Sequence, residues 1–155
     1  MAALFSWLES TGLARVVGES QSVTAWLSAV HAVSYTIVMS AGLVWSLHAG
    51  GLLLRQASSA SVARPARRLL VVGLAISILT GISLFAPRAS YTGPVGAFQL
   101  KLALIVGASI LQFATTRAVL RGLPPAITTL RAAGVAGLVL WLALAATACW
   151  FILFE

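Results

Sequence analysis

Four long apolar stretches, separated by short polar breaks, constrain the fold of this chain more than any other feature of its sequence. Hydrophobic residues make up 60% of the sequence and charged residues only 8%. The mean hydropathy is +1.01. A water-soluble domain of this size does not place so much apolar surface against water. The pattern predicts an all-α integral membrane protein, because a helix satisfies its own backbone hydrogen bonds in lipid.

Each apolar stretch is long enough to cross a bilayer. A helix of about 20 residues spans the ~30 Å hydrocarbon core. Pro87, Pro94 and the pair Pro124-Pro125 end or interrupt helices between the stretches. We therefore predict a single membrane domain over residues 1–155, folded as a four-helix bundle. Its predicted spans are residues 23–54, 69–86, 97–120 and 130–154.

The segment before the first span has an amphipathic pattern. At helical spacing its apolar residues fall on one side, while Glu9 and Arg15 fall elsewhere. The segment lacks the basic start and continuous apolar centre of a secretory signal. We predict a short interfacial helix over residues 3–17, with Trp7 as its anchor at the membrane surface.

Basic residues are distributed unevenly between the two sides of the predicted membrane. Lys and Arg are enriched in cytoplasmic loops, so the pattern predicts a multi-pass protein with both termini on the outer side of the membrane. A nucleic-acid partner is not predicted, because the net charge of +7 is scattered over helix ends without interleaved aromatics. Seven basic residues flank the first and third breaks and three lie opposite: Arg55, Arg64, Arg67, Arg68, Arg117, Arg121 and Arg131, against Arg15, Arg88 and Lys101.

Three ionisable residues within the spans are candidates for ligand binding or catalysis: His31, His48 and Lys101. Such a group costs at least a few kcal/mol in hydrocarbon, so it needs a partner, a cavity or a ligand. The two histidines are separated by about 25 Å along one helix and do not bind one metal within a single chain. The three acidic residues lie outside the spans, so no catalytic acid–base pair is predicted.

His31 and Lys101 are expected to enter the bundle from the same outer side and to approach each other. A neutral imidazole at this depth can ligate haem iron. The alternative is a hydrogen bond from His31 to Ser28, Tyr35 or a neighbouring helix, with Lys101 extending to the outer interface. His48, close to the cytoplasmic edge, is interpreted as an interfacial histidine.

Several short motifs follow one another in a characteristic order. Ser6-Trp7-Leu8-Glu9 and Glu19-Ser20 precede His31, Leu79-Thr80-Gly81 and Leu84-Phe85 follow in the second span, and Gly93-Pro94 precedes Phe98-Gln99-Leu100-Lys101-Leu102. This order resembles an uncharacterised family of four-helix bacterial membrane proteins. The layout is also distantly similar to the group that contains CopD-type copper-resistance proteins and HemJ-type haem-containing protoporphyrinogen oxidases.

The resemblance implies a b-type haem held by the first-span histidine, with a functionally important lysine in the third span. These roles fall on His31, as ligand of the haem iron, and on Lys101. The chain departs from the pattern at Ser28, where the family often has an acid, and by lacking a histidine late in the third span. A second axial position would then be empty, filled by Lys101 or Met39, or supplied by another chain.

Three functional hypotheses follow. The first is a haem b membrane protein with an electron-transfer or oxidoreductase role, in which Met39 and His48 are weaker candidate ligands. The second is a structural or accessory subunit that docks a larger membrane complex or a second copy of itself within the lipid bilayer. The third, copper or ion handling, has the least support because the chain has few soft ligands and no carboxylate within its spans.

Overall fold

A computed structural model describes residues 2–123 and 125–154, with side chains from residue 3 to residue 150 within these ranges. This part of the chain is helical and contains no strand. Four long helices are apolar enough to cross a membrane, so the chain is a multi-pass integral membrane protein, and the predicted all-α four-helix bundle is confirmed. The helices are α1 (Ala2–Glu9), α2 (Gly12–Glu19), α3 (Gln21–Ala49), α4 (Ser59–Phe85), α5 (Ala89–Thr92), α6 (Gly96–Leu120) and α7 (Ile127–Phe154).

The four long helices form a ring. α3 packs along α4 and α7, while α6 completes the ring by packing against α7 and, less extensively, against α4. Successive long helices run in opposite directions, so the bundle has two distinct ends. The N-terminal end contains the starts of α3 and α6, and the arginine end contains the α3–α4 and α6–α7 connections.

The first span is shorter than predicted, because α3 ends at Ala49 and not near residue 54. Gly51 follows with φ +76°, a left-handed conformation that favours glycine. The Leu52 N–H donates to the Leu47 carbonyl and the Gly51 N–H to the His48 carbonyl, both at 2.9 Å. These two hydrogen bonds form a Schellman motif, which satisfies the last carbonyls of the helix and turns the chain.

The second span is longer than predicted, because α4 begins at Ser59 and not near residue 69. The Ser58 hydroxyl oxygen accepts the Ser61 N–H at 3.3 Å and caps the helix. Pro65 was expected to lie in a break, yet it lies inside α4. Burial of Val62 and Ala66 against the core compensates for the backbone hydrogen bond that proline cannot donate. The other two spans match their predicted ranges within three residues at each described end.

The N-terminal segment forms two short helices where one was predicted over residues 3–17. Thr11 starts the second helix, because its hydroxyl oxygen accepts the Ala14 N–H at 3.2 Å. Glu9 then ties the segment to the bundle by accepting the Ser90 N–H at 2.7 Å and the Ser90 hydroxyl at 3.0 Å. The pair α1–α2 therefore covers the N-terminal end of the bundle, while its location in a membrane interface stays a prediction.

Aromatic rings reinforce this covering segment. Phe5 of α1 meets the Phe85 ring edge-to-face with centroids 5.9 Å apart. Phe85 in turn stacks on Phe98 of α6, with centroids 5.1 Å apart and nearly parallel planes. Such ring pairs stabilise in preferred geometries, in addition to the gain from burying apolar area. The three rings therefore hold α1 and the start of α6 against the end of α4.

The tightest packing lies from the middle of the bundle to the arginine end. Gly134 of α7 lies against the α3 backbone, where an added Cβ would be 2.8 Å from the Ala49 carbonyl carbon and from the Ser46 oxygen. Trp141 is fully buried with its indole against Gly42. Small residues thus bring α3 and α7 together, as expected where packing holds helices in lipid. The buried apolar residues of this region include Trp45, Ala49, Val62, Ala63, Ala66, Val119 and Leu130.

Candidate functional site

His31 lies in the half of α3 nearer the N-terminal end, half-buried against α4. Its Nδ1 atom is 2.9 Å from the hydroxyl oxygen of Thr80. Next to Thr80, a Cβ added to Gly81 would lie 3.1 Å from the Cε1 atom of His31. The absence of a side chain at Gly81 therefore leaves space for the imidazole at the α3–α4 contact.

The hydrogen bonds of Thr80 favour one histidine tautomer. The Thr80 hydroxyl is 2.8 Å from the Ile76 carbonyl, to which it can donate while its oxygen accepts from His31. We infer that Nδ1 of a neutral His31 carries the proton toward Thr80. The lone pair of the imidazole is then on Nε2, which is the arrangement found in histidines whose second nitrogen ligates a metal.

Lys101 of α6 lies in the same half of the bundle as His31. Its ammonium nitrogen is 5.9 Å from the centroid of the Tyr35 ring, a cation–π contact. Tyr35 follows His31 by one turn on α3, so Lys101 and His31 both lie beside Tyr35. That His31 and Lys101 share one ligand stays a prediction.

The fourth long helix also contributes to this region. The Tyr35 hydroxyl donates to the Leu144 carbonyl of α7 at 3.4 Å. Cys149 lies further along α7, toward the N-terminal end of the bundle, and is exposed. We call His31, Tyr35, Thr80 and Lys101 the N-terminal polar cluster. It takes its side chains from α3, α4 and α6 and is bounded by α7.

The two weaker candidates lie elsewhere. Met39 packs against the central core cluster, about 12 Å along α3 from His31. His48 lies near the arginine end, as predicted, but it is buried and not exposed to an aqueous interface. Its Nε2 atom is 3.2 Å from the Ser59 hydroxyl oxygen, and its ring lies beside Trp45. Neither residue is positioned to share a ligand with His31.

The metal-binding potential of the chain is therefore concentrated on one histidine. Within residues 2–123 and 125–154, no group of three His, Cys, Asp or Glu side chains is close enough to hold a metal ion. A site that needs only one protein nitrogen, such as an axial position on haem iron, is compatible with this donor set. A bare copper ion would have no comparable set of ligands among the described residues.

The sequence pattern included most of the cluster but not its pairings. A hydrogen bond from His31 to a neighbouring helix was one expected alternative, and Thr80 is the partner, whereas Ser28 is exposed. Thr80 and Gly81 were noted only as part of a motif in the second span. The placement of Lys101 over Tyr35 was not predicted, because it depends on how α6 is rotated against α3.

No protein-family model, no curated protein and no solved structure matches this chain. The resemblance to the four-helix bacterial family and to the CopD-type and HemJ-type group stays a prediction. The function is therefore argued from the geometry of the N-terminal polar cluster.

Proposed function

We propose that this integral membrane protein binds haem b in the N-terminal half of its bundle, where Nε2 of His31 would hold the iron. The observation that supports the proposal is the 2.9 Å contact between His31 Nδ1 and the Thr80 hydroxyl oxygen, which would leave the Nε2 lone pair available. Bound haem supplies a one-electron iron couple, so the role is electron transfer or oxidoreduction. We place the protein in a bacterial inner membrane because of the resemblance to a bacterial family, and the distribution of arginines supports termini on the periplasmic side.

Lys101 suits the acidic side groups of haem. Its ammonium lies within a span, while the acids of the sequence, Glu9, Glu19 and Glu155, all lie outside the four spans. Lys101 is half-buried and has no carboxylate partner among the described residues. Such a cation favours an anionic ligand, and a haem propionate is a carboxylate. Lys101 would therefore orient the haem through a propionate while His31 holds the iron.

A second protein ligand to the iron has few candidates within the chain. Met39 lies about 12 Å and His48 about 25 Å from His31 along α3, so neither would hold the same iron as His31. With Lys101 paired to a propionate, a second ligand would come from another chain. Absorption spectra of proteins with one and with two protein ligands differ, so one measurement separates them.

The test is an absorption spectrum of the detergent-purified chain from haem-replete cells, recorded before and after dithionite reduction. We expect a Soret band in the wild-type protein and a sharper long-wavelength band after reduction. His31→Ala should lose both bands, whereas His48→Ala removes an imidazole elsewhere on the same helix and should keep them. A colourless wild-type protein would refute the proposal. If it also co-purified with a stable partner, the structural or accessory role would be favoured.

A further inference from the structure

Three arginines and three apolar residues line a cleft between α4 and α6 at the arginine end. Its volume is about 450 Å³, and its lining residues are Arg64, Arg67, Arg68, Val71, Val72 and Leu120. The three arginines and Val71 recur at the spacing of one helical face. Along α4, about 12 Å separates Arg64 from Val72, so the α4 wall of the cleft carries arginines toward the helix start and apolar residues deeper along the span.

The positive charge of this cleft is not compensated by the protein. Among the described residues, neither an ion pair nor a hydrogen bond engages the side chains of Arg64, Arg67 or Arg68. Among the described acidic residues, Glu9 and Glu19 lie in α1 and α2 at the opposite end of the bundle. The seven arginines of the arginine end therefore face no carboxylate of their own chain within the described part. An unpaired cluster of this kind favours an anionic ligand.

The order of polar and apolar surface selects the ligand class. A phospholipid carries its phosphate at the membrane interface and its acyl chains toward the bilayer centre, which matches the order from Arg64 to Val72. A free phosphate ion has no part that would cover Val71, Val72 and Leu120. Arginine also binds phosphate oxygens through paired N–H groups, in contrast to the point charge of lysine.

We propose that this cleft binds one anionic phospholipid. The phosphate lies among Arg64, Arg67 and Arg68, and an acyl chain covers Val71, Val72 and Leu120. The site lies at the opposite end of the bundle from the N-terminal polar cluster and does not depend on haem binding. An anionic lipid held here would fill the groove between α4 and α6, the helix pair of the ring with the less extensive contact.

The test is native mass spectrometry of the full chain, released from nanodiscs that contain equal amounts of phosphatidylglycerol and phosphatidylcholine. We expect one retained phosphatidylglycerol, about tenfold enriched over phosphatidylcholine. The variant R64Q/R67Q/R68Q should lose this enrichment. The matched control R55Q/R121Q/R131Q removes the same charge from the same end outside the cleft and should keep it. R64K/R67K/R68K keeps the charge without the paired N–H groups and should bind less phosphatidylglycerol than wild type.

Three results would overturn the proposal. Equal retention of the two lipids by the wild-type protein would show no headgroup selectivity. Equal loss in both glutamine triples would reduce the effect to the general charge of this end. Displacement of phosphatidylglycerol by inorganic phosphate at millimolar concentration would indicate a site for a soluble anion. If the cleft triple fails to purify as a monodisperse species, the single variant R67Q provides the same comparison against R121Q.

Discussion

Two helix contacts toward opposite ends of the bundle differ in kind. Toward the arginine end, helices approach until side chain and backbone touch, as where Gly134 lies against Ala49. Toward the N-terminal end, half-buried polar side chains occupy the contacts between helices, as where His31 meets Thr80. In lipid, close packing contributes most of the association between helices. We therefore expect the α3–α7 contact at Gly134 to contribute mainly to stability, and the α3–α4 contact at His31 to contribute mainly to ligand binding.

The largest effect is expected from Gly134→Leu. A Cβ at this position would already lie 2.8 Å from the Ala49 carbonyl carbon, so a leucine must separate α3 from α7. We expect loss of monodisperse protein in size-exclusion chromatography. The matched control is Gly107→Leu in α6, where an added Cβ meets nothing within 4 Å. A monodisperse Gly134→Leu protein in size-exclusion chromatography would contradict the stabilising role of the close α3–α7 contact.

The next largest effect should follow Thr80→Val, which keeps the volume of the side chain but removes the hydroxyl. Loss of the partner of His31 Nδ1 leaves the ring tautomer and orientation unfixed. Outer-shell substitutions of this type typically lower metal affinity about 10- to 100-fold. We expect haem affinity to fall in this range in a haem titration of the apoprotein, with the thermal unfolding temperature changed little.

Ser83→Ala is the control for Thr80→Val. Ser83 lies one turn further along α4, and its hydroxyl donates to the Leu79 carbonyl at 2.9 Å. It removes a similar intrahelical hydrogen bond without touching His31. Equal haem affinities of the two variants would contradict the role assigned to Thr80.

A smaller effect is expected from Lys101→Met, which keeps a long apolar side chain but removes the cation over Tyr35. If Lys101 pairs with a haem propionate, haem affinity should fall about tenfold, roughly 1.4 kcal/mol. Lys101→Arg keeps the charge and should recover most of the affinity. Unchanged affinity in both variants would exclude a propionate partner at this position and leave the His31 ligand untouched.

The smallest effect is expected from Gln112→Leu in the central core. The amide nitrogen of Gln112 donates to the Ala41 carbonyl at 3.3 Å, while its Oε1 atom is buried without a partner among the described residues. Removing one long hydrogen bond together with one unsatisfied acceptor should change the free energy of unfolding by less than about 1 kcal/mol. A loss of several kcal/mol in chemical denaturation would show that this polar residue holds α3 and α6 together.

Local sequence signals predicted some helix ends better than others. The Pro124-Pro125 pair correctly indicated that the third span ends before it, and α6 ends at Leu120. The interval before residue 69, which contains Pro65, was predicted to lie between spans but belongs to α4. Tertiary packing explains this error. Val62 and Ala66, on either side of Pro65, are buried against the core, and this packing outweighs the lost hydrogen bond. Glycine at Gly51 ended α3 for a local reason, but the apolar residues after it hid that signal in the sequence.

The candidate site shows the same division. His31 and Lys101 were identified from the sequence because ionisable groups in apolar spans are rare and costly. Their common depth followed from the topology of successive spans. Thr80 as the partner of Nδ1, and therefore the free lone pair on Nε2, required the register between α3 and α4. No local pattern encodes that register, because it results from packing of whole helix faces.

The sequence by itself determined that this chain is a four-span membrane protein, since hydrophobicity and charge are sums over residues that do not depend on how helices pack. It also determined which ionisable side chains within the spans are candidates for ligand binding: His31, His48 and Lys101. The tertiary structure alone decided which of them meet, through the rotation and register of α3 against α4 and α6. It placed an imidazole on a hydroxyl at one end and three guanidinium groups over an apolar cleft at the other. These juxtapositions depend on distances between residues that are far apart in the chain, and such distances are fixed only when the bundle closes.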